Sequence, residues 1–372
     1  MAGDAPVMTD FAARRRRVRD ALAGAGVDAL AVAPGDNMTY LLGYHPHPDE
    51  RPCFLIIAAR GEGMLVPALN AEEVRAHVDL PMETYTDAEG PAAALDRLAA
   101  ALGIRPARAV MIEEPMRADF ALLLQERLGG AVLRLAGPVL AAMRMRKDPG
   151  EIEALQRAAR LGDAAMQAAF AALRPGMTEL ELARVVEEAF MNGGAQSVSF
   201  AIVASGPNAA FPHHQSGSRV VQAGEPVLFD IGARLDNYEC DITRMAFVGE
   251  PNDEYLKVHG IVERAVQAAL AVIRPGVEAR QVDLAARSVI EEAGYGPYFT
   301  HRTGHGIGIS GHEPPSITST NDMPLDVGMA FSVEPGIYLP GRFGVRLEEI
   351  VVVTETGCRV LSGLSRDVRV VR

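Results

Sequence analysis

Met166-Gln-Ala-Ala-Phe-Ala-Ala-Leu-Arg-Pro-Gly-Met177 is repeated 100 positions later as Val266-Gln-Ala-Ala-Leu-Ala-Val-Ile-Arg-Pro-Gly-Val277. In both copies an alanine-rich helical pattern ends at Arg-Pro-Gly. A second amphipathic helix is predicted after each copy, over 179–191 and over 279–293. Two copies of one supersecondary unit indicate a domain built from two similar halves, related by a pseudo-twofold axis.

Each half also carries two acidic residues in strand-like segments. Asp230 and Glu334 lie six positions after a glycine in the first and second half, and they are 104 positions apart. Asp241 and Glu348 follow them and are 107 positions apart. The apolar residues around these positions predict β-strands, with Asp230 and Asp241 expected at the strand ends beside one turn. A pseudo-twofold axis would then bring a pair of carboxylates from each half to one central site.

These four carboxylates and His305, in Thr-Gly-His-Gly-Ile-Gly, are predicted to bind two adjacent divalent metal ions. Like charges held together in a low dielectric would protonate rather than ionise, and two divalent cations balance the charge of four carboxylates. A single acidic residue in an apolar strand is more often an edge or hydrogen-bonded residue. Clustered oxygen and imidazole donors are instead typical of a metal centre. The predicted ligands are Asp230, Asp241, His305, Glu334 and Glu348.

The composition of the chain excludes several functional classes. With 372 residues, of which 48% are hydrophobic and 23% charged, two globular domains are expected. The net charge of −12 argues against nucleic-acid binding, and no apolar run is long enough to predict a membrane span. Three widely separated cysteines, Cys53, Cys240 and Cys358, predict no disulfide framework and favour the reduced cytoplasm. Arg14-Arg-Arg-Arg17 is interpreted as the solvent face of a first helix, because no signal-peptide apolar region follows it.

The predicted domain boundary is Arg144-Met-Arg-Lys-Asp-Pro-Gly150, a charged stretch interrupted by proline and glycine before a long helix that starts near Glu151. We expect an α/β (α+β) protein with an N-terminal α/β domain over 1–143 and a C-terminal domain with the internal repeat over 144–372. In the first domain, the predicted strands are 29–33, 53–59, 63–67, 109–113 and 131–135, and the predicted helices are 14–24, 71–78 and 118–128.

These motifs resemble the pita-bread metallopeptidase family, which includes prolidase (Xaa-Pro dipeptidase), aminopeptidase P, methionine aminopeptidase and creatinase. The similarity rests on the spacing of eleven between Asp230 and Asp241, on Gly-His305-Gly-Ile-Gly, on Glu334 before Pro-Gly and on Glu348 after Val-Arg-Leu.

The resemblance covers nearly the whole chain, because Asn37-Met-Thr-Tyr-Leu-Leu-Gly-Tyr44 is similar to the creatinase-type N-terminal domain of prolidase and aminopeptidase P. That domain, and the short interval of 14 between Glu334 and Glu348, favour these two enzymes over methionine aminopeptidase. The resemblance implies a C-terminal pita-bread domain that hydrolyses the Xaa-Pro bond of dipeptides or short peptides. It further implies a homodimer.

Specific roles for the ligands also follow from the resemblance. Asp230 would bind one metal ion, Asp241 and Glu348 would bridge both, and His305 and Glu334 would complete the second. Glu334 would also transfer the proton of the attacking water to the leaving nitrogen. The oxygen-rich set suits Mn²⁺ and accepts Co²⁺, Zn²⁺ or Fe²⁺.

Three further histidines match family positions near the substrate: His213, His301 and His312. They would contact the scissile carbonyl or the tetrahedral intermediate, whereas His214 is interpreted as a bystander.

Four residues near the ligands in sequence are candidates to support them. Arg346 is two residues before Glu348, so on one strand both side chains would face the same side, and Arg346 is expected to orient a carboxylate. Thr243 is two residues after Asp241 and is expected to share its face in the same way. Tyr238 and Arg244 are expected either to contact the ligands or to have only a packing role or a surface ion pair.

The chain departs from the family pattern at the arginine that binds the substrate's free carboxylate. Some prolidases use an arginine shortly after the second histidine, but His312-Glu-Pro-Pro-Ser-Ile317 contains none. Arg342, in Leu339-Pro-Gly-Arg-Phe-Gly344, either takes this substrate-binding role or lies on the surface.

Two other functional classes stay open. A non-peptidase enzyme of the same fold, such as an ectoine-hydrolase-like amidohydrolase or a sulfonium-compound lyase, could use the same ligands. An inactive binding module is the other class, although inactive relatives characteristically lose ligands and this chain has all five.

Overall fold

The structure is a computed structural model that describes residues 9–372. This part of the chain forms two compact units, 9–144 and 145–372. No helix within residues 9–372 is long and apolar enough to cross a membrane.

The first unit contains one mixed six-stranded sheet with the order β4-β3-β2-β1-β5-β6. Strand β1 pairs antiparallel with β2 and parallel with β5. The strands are β1 Ala29–Val32, β2 Phe54–Ala58, β3 Gly61–Pro67, β4 Met82–Tyr85, β5 Ala109–Ile112 and β6 Val132–Leu135. The helices are α1 Phe11–Ala25, α2 Asp36–Leu42, α3 Ala71–His77, α4 Ala92–Leu102, α5 Ala118–Arg127 and α6 Gly137–Met145.

The arginine cluster at the start of α1 is not entirely a solvent face. Arg16 and Arg17 are exposed, but Arg14 is buried. Its guanidinium lies over the ring of Tyr40, 4.1 Å from the centroid, and donates a hydrogen bond to the Tyr40 carbonyl. The expectation was wrong for Arg14 because an aromatic ring and a carbonyl oxygen together can accommodate a buried guanidinium.

The second unit contains a four-stranded sheet, β17-β9-β8-β7, a five-stranded sheet, β11-β10-β12-β15-β16, and the hairpin β13-β14. Its helices are α7 Pro149–Ala172, α8 Glu179–Asn192, α9 Asp253–Val272 and α10 Ala279–Glu292. Its strands are β7 Ser197–Ser205, β8 Pro226–Leu235, β9 Tyr238–Val248, β10 Gly304–Gly306, β11 Glu313–Ile317, β12 Ala330–Val333, β13 Gly336–Leu339, β14 Phe343–Arg346, β15 Glu349–Val353, β16 Cys358–Val360 and β17 Arg369–Val371.

The repeat predicted from the sequence is confirmed in this unit. Helices α8 and α10 begin and end 100 positions apart, and α7 and α9 end 100 positions apart, with one residue between each helix end and the following Arg-Pro-Gly run. Helices α7 and α8 share an apolar core with β8 and β9, and α9 and α10 share one with β12 and β15. Each half therefore presents a strand pair that is supported from behind by two helices.

Two details of the strands differ from expectation. Asp230 and Asp241 lie inside β8 and β9 rather than at the strand ends, because the hairpin turns only at Asp236-Asn237. Both turn residues have positive φ, 51° and 67°, as a two-residue turn that matches the strand twist requires. In the second half, β14 ends at Arg346 and β15 begins at Glu349. The expectation that Arg346 and Glu348 face the same side because they lie on one strand was therefore wrong in its premise.

Candidate metal centre

The first carboxylate pair lies on one face of the β8–β9 hairpin. Asp230 is opposite Thr243, and Thr243 is two residues from Asp241 on the same strand. Because opposed residues share a face and side chains alternate along a strand, Asp230, Thr243 and Asp241 all point to the same side.

The second half contributes an imidazole and two glutamates. His305 lies on β10 and Glu334 directly follows β12. The Nε2 atom of His305 is 3.3 Å from Oε1 of Glu334 and 3.8 Å from Oδ2 of Asp241. Its Nδ1 donates to the Gly306 carbonyl at 3.1 Å, because a carbonyl can only accept. When Nε2 carries no proton, its lone pair faces the carboxylates and can bind a cation.

The predicted ligands therefore come together in space. In each of three overlapping groups, one donor atom from each residue lies within 4.8 Å of the others. The groups are Asp230, Asp241 and Glu348; His305, Glu334 and Glu348; and Asp241, His305 and His312. All five predicted donors take part, and His312 lies at the edge of the cluster.

The properties of this cluster fit a site for divalent cations. Burial, followed by the charge of Glu348, raises the pKa of Asp241 well above its usual value. Burial, followed by the charge of Glu334, does the same to the pKa of Glu348. The Oε1 atom of Glu348 is buried and has no hydrogen-bond partner within residues 9–372. A cation would both coordinate that oxygen and offset the repulsion among the carboxylates.

Glu334 differs from the other carboxylates of the centre. Burial alone would raise its pKa, but the hydrogen bond and charge of His305 outweigh burial and lower the pKa of Glu334 to about 2. Ser332, two residues earlier on β12, donates to Oε1 of Glu334 at 3.0 Å and accepts from the His305 amide at 2.9 Å. Ser332 was not predicted, although its strand parity with Glu334 is a signal that could have found it.

A network around Arg346 holds two of the ligands. Its guanidinium forms an ion pair with Asp230 and donates to Thr243 Oγ1 at 3.1 Å and to the Tyr338 hydroxyl at 2.9 Å. Thr243 in turn donates to Oε2 of Glu348 at 2.8 Å. Arg346 thus connects a ligand of the first half to a ligand of the second. Tyr338 had no sequence signal, because its hydroxyl reaches the site only through the β13–β14 hairpin.

The three predicted histidines occupy different positions. His301 Nδ1 donates to the Arg302 carbonyl at 2.7 Å, so Nε2 accepts from the Tyr338 hydroxyl at 2.7 Å, and both ring nitrogens are engaged. The ring of His312 is 3.9 Å from that of His305. Burial, followed by the charges of His305 and Arg302, lowers the pKa of His312 to about 4, with a smaller contribution from His213. His213 lies on an exposed loop.

The side chains of the remaining candidates form their ion pairs and hydrogen bonds with residues other than the carboxylates of the centre. The Tyr238 hydroxyl donates to Glu151 at 2.9 Å. Arg244 is buried against Glu349, and their charged atoms are 2.8 Å apart. Arg342 has a half-exposed side chain that forms an ion pair with Glu254.

Glu179, at the start of α8, holds the loop that carries His213. Its buried carboxylate accepts hydrogen bonds from the amide and hydroxyl of Ser205, both at 2.8 Å, from Asn208 at 2.9 Å and from Nε2 of His214 at 2.8 Å. His214 is therefore an anchor of this loop rather than a bystander.

The second half contains a related arrangement. Asp283 on α10 accepts from the amide and hydroxyl of Thr303, just before the strand that carries His305, at 3.0 and 2.8 Å.

Replacing Glu179 by glutamine is expected to destabilise the fold by about 3 kcal/mol at neutral pH, because an amide cannot accept all of these bonds. Burial alone would raise the pKa of Glu179, but the bonds from Ser205, His214 and Asn208 lower it below 4.5. The stabilisation is therefore complete above pH 4.5 and is lost as the pH falls through the folded-state pKa. Urea unfolding should show a large difference between the two proteins at pH 7 and a smaller one in acid.

The control for this prediction is Glu188→Gln, at an exposed position of the same helix, which should change stability by less than about 0.5 kcal/mol. Equal stability of Glu179→Gln and wild type at pH 7 would contradict the anchoring role.

Comparison with known proteins gives the family. Residues 153–355 match metallopeptidase family M24, and residues 14–146 match the creatinase/prolidase N-terminal domain. The chain belongs to metallopeptidase family M24. It is therefore a hydrolase of the pita-bread type that uses divalent metal, and the resemblance stated from the sequence is confirmed.

Relatives of this M24 protein match it over nearly its whole length. A probable dipeptidase PepE from Mycobacterium tuberculosis is 38% identical over 97% of this chain and 96% of its own. The Xaa-Pro dipeptidase of Lactobacillus helveticus is 34% identical over 90% of this chain and 92% of its own. Among solved structures, the recombinant prolidase from Thermococcus sibiricus has a TM-score of 0.93 at 34% identity, covering 98% of this chain and 100% of that one.

Proposed function

We propose that this M24 protein is a dinuclear metal-dependent peptidase that hydrolyses the Xaa-Pro bond of dipeptides or short peptides. The observation that carries the proposal is the convergence of four carboxylates and one imidazole from both halves of the repeat. The relatives named Xaa-Pro dipeptidase and prolidase support the same reaction.

Two divalent metal ions bound at this centre would polarise the scissile carbonyl and lower the pKa of a water molecule. Asp230 would hold one ion, Asp241 and Glu348 would be shared, and His305 and Glu334 would hold the other. The predominance of oxygen donors favours Mn²⁺, with Co²⁺, Zn²⁺ or Fe²⁺ as alternatives.

The side chains of the centre would transfer the proton of the attacking water and stabilise the negative charge that develops on the carbonyl oxygen. Glu334 is ionised at neutral pH, so it can accept a proton from the attacking water and deliver it to the proline nitrogen as the C–N bond breaks. His312 is neutral at the same pH, so one ring N–H can donate to the carbonyl oxygen as that oxygen becomes negative. His213 would be a second donor to that oxygen.

His301 and Arg346 would act differently. Because both nitrogens of His301 are already engaged, its role is to hold Tyr338 in place. Arg346 would orient Asp230 through their ion pair and Glu348 through Thr243. Both are positioning residues in this proposal.

The reaction can be tested with metal-free protein reconstituted with Mn²⁺, Co²⁺ or Zn²⁺. We expect about two metal ions per chain by elemental analysis, and a kcat/KM for alanyl-proline at least about tenfold above that for alanyl-alanine. An Xaa-Pro-Xaa tripeptide measures the tolerance for longer substrates.

Absence of hydrolysis of every proline peptide with all three metals would refute the proposed function. Turnover of a cyclic amidine or a sulfonium compound in that same preparation would favour the non-peptidase class of enzyme. The homodimer and the cytoplasmic location expected from the sequence belong to this proposal, and light scattering tests the dimer.

A further inference from the structure

Arg302 directly precedes the segment that carries the ligand His305. Its Nη1 atom donates to the hydroxyl of Ser316 on β11 at 3.2 Å. Ser316 is the register partner of His305 across the β10–β11 pair. Opposed residues of an antiparallel pair present their side chains on the same face, so the guanidinium of Arg302 reaches the face of the sheet that carries the imidazole ligand.

The charge of Arg302 is not paired with a carboxylate in the part of the chain that the structure describes. Ser316 uses one of its five N–H donors. The other arginine of the centre, Arg346, is occupied by Asp230, Thr243 and Tyr338.

Ser316 lies within the run that follows the second histidine and lacks an arginine, His312-Glu-Pro-Pro-Ser-Ile317. Through its contact with Ser316, Arg302 brings a guanidinium to that run from the neighbouring strand. A planar guanidinium with free donors, held beside a metal centre that cleaves peptides, suits a carboxylate through two parallel hydrogen bonds.

We propose that Arg302 binds the C-terminal carboxylate of a dipeptide substrate and that Ser316 holds its guanidinium in position. The assignment rests on the proposed peptidase function and adds the substrate class to it. A cation at a fixed place beside the metals favours substrates whose free carboxylate lies one residue beyond the scissile bond.

The test compares alanyl-proline with its C-terminal amide, alanyl-prolinamide, on metal-loaded full-length protein. Wild type should prefer the acid. Arg302→Ala should raise KM for the acid by roughly 10- to 100-fold, with little change in kcat, in metal content or in KM for the amide. Arg302→Gln keeps a donor toward Ser316 without the charge, and it should show the same rise in KM for the acid. This variant tests the role of Arg302 if Arg302→Ala folds poorly.

Arg342, which pairs with Glu254 on the surface, is the alternative candidate for binding the substrate carboxylate. Arg342→Ala should keep the wild-type preference for the acid over the amide. If Arg342→Ala loses that preference, or if both Arg302 variants keep it, the assignment of Arg302 is overturned while the peptidase function stands. If wild type cleaves neither substrate with Mn²⁺, Co²⁺ or Zn²⁺, the proposed function fails and the assignment fails with it.

Discussion

Replacing Asp241 by asparagine is expected to lower kcat/KM for a proline dipeptide by about three orders of magnitude or more. Asp241 lies between the first-half ligand Asp230 and the second-half ligands His305 and Glu348. The amide keeps the shape of the side chain but removes the charge that a shared ligand supplies, and transition-state stabilisation by the metals is worth several kcal/mol. Elemental analysis should find fewer than two metal ions per chain.

The same substitution separates loss of metal from loss of fold. Without metal, Asp241→Asn removes one member of a repelling carboxylate cluster, so the metal-free variant should unfold at the same or a higher temperature than metal-free wild type. Asp236→Asn is the matched control, because Asp236 lies in the turn of the same hairpin, where asparagine tolerates the positive φ. If Asp241→Asn retained both metals and full activity, the proposed metal centre would be refuted.

Replacing Arg244 by methionine is expected to reduce the free energy of unfolding by about 3–5 kcal/mol, since it leaves the buried carboxylate of Glu349 without one of its partners. The guanidinium donates to Oε1 of Glu349 at 2.8 Å, to the carbonyls of Leu364 and Ser365 at 2.9 and 3.0 Å and to the carbonyl of the ligand Glu348. It therefore ties β9 to the start of β15. Urea unfolding of the metal-free protein measures the loss without a contribution from bound ions.

An exposed arginine of the same unit provides the comparison. Arg157 and Asp236 have side chains about half exposed, at 49% and 54%, so Arg157→Met should cost less than about 1 kcal/mol. A similar loss of unfolding free energy in both variants would contradict the prediction, because it would show that burial does not increase the contribution of the Arg244–Glu349 pair to stability.

Much of the centre could be predicted because its ligands carry local signals. Acidic residues in apolar strands, the glycines around His305 and the repeat of the helices are all visible in the printed sequence. The repeat was decisive, since it relates residues over 100 positions apart without any knowledge of the fold. The class and domain content followed from the same patterns, and the family comparison confirms them.

The parts that could not be predicted depend on where strands end and on which hydroxyl reaches which ligand. The apolar run that predicts β8 stops at Asp230, whereas the strand continues to Leu235, so the two carboxylates were wrongly placed at strand ends. Strand periodicity continues through the break between Arg346 and Glu349, so it joined two separate strands. Ser332 and Tyr338 contact the site through non-local hydrogen bonds, and sequence spacing does not encode such bonds. Helix α2 was missed because six of its seven residues are buried, so it shows no amphipathic pattern. Strand β4 was missed because only one of its four residues is buried.

The division of the ligands between the halves of the repeat has a consequence for the life of the protein in a cell. In the proposed centre, Asp230 and Asp241 come from one half and His305, Glu334 and Glu348 from the other, so neither half alone would retain two ions. Binding energy that exists only when both halves are docked is added to the stability of the complete fold. If metal binds as proposed, starvation for the cation should therefore deplete the protein itself as well as its activity.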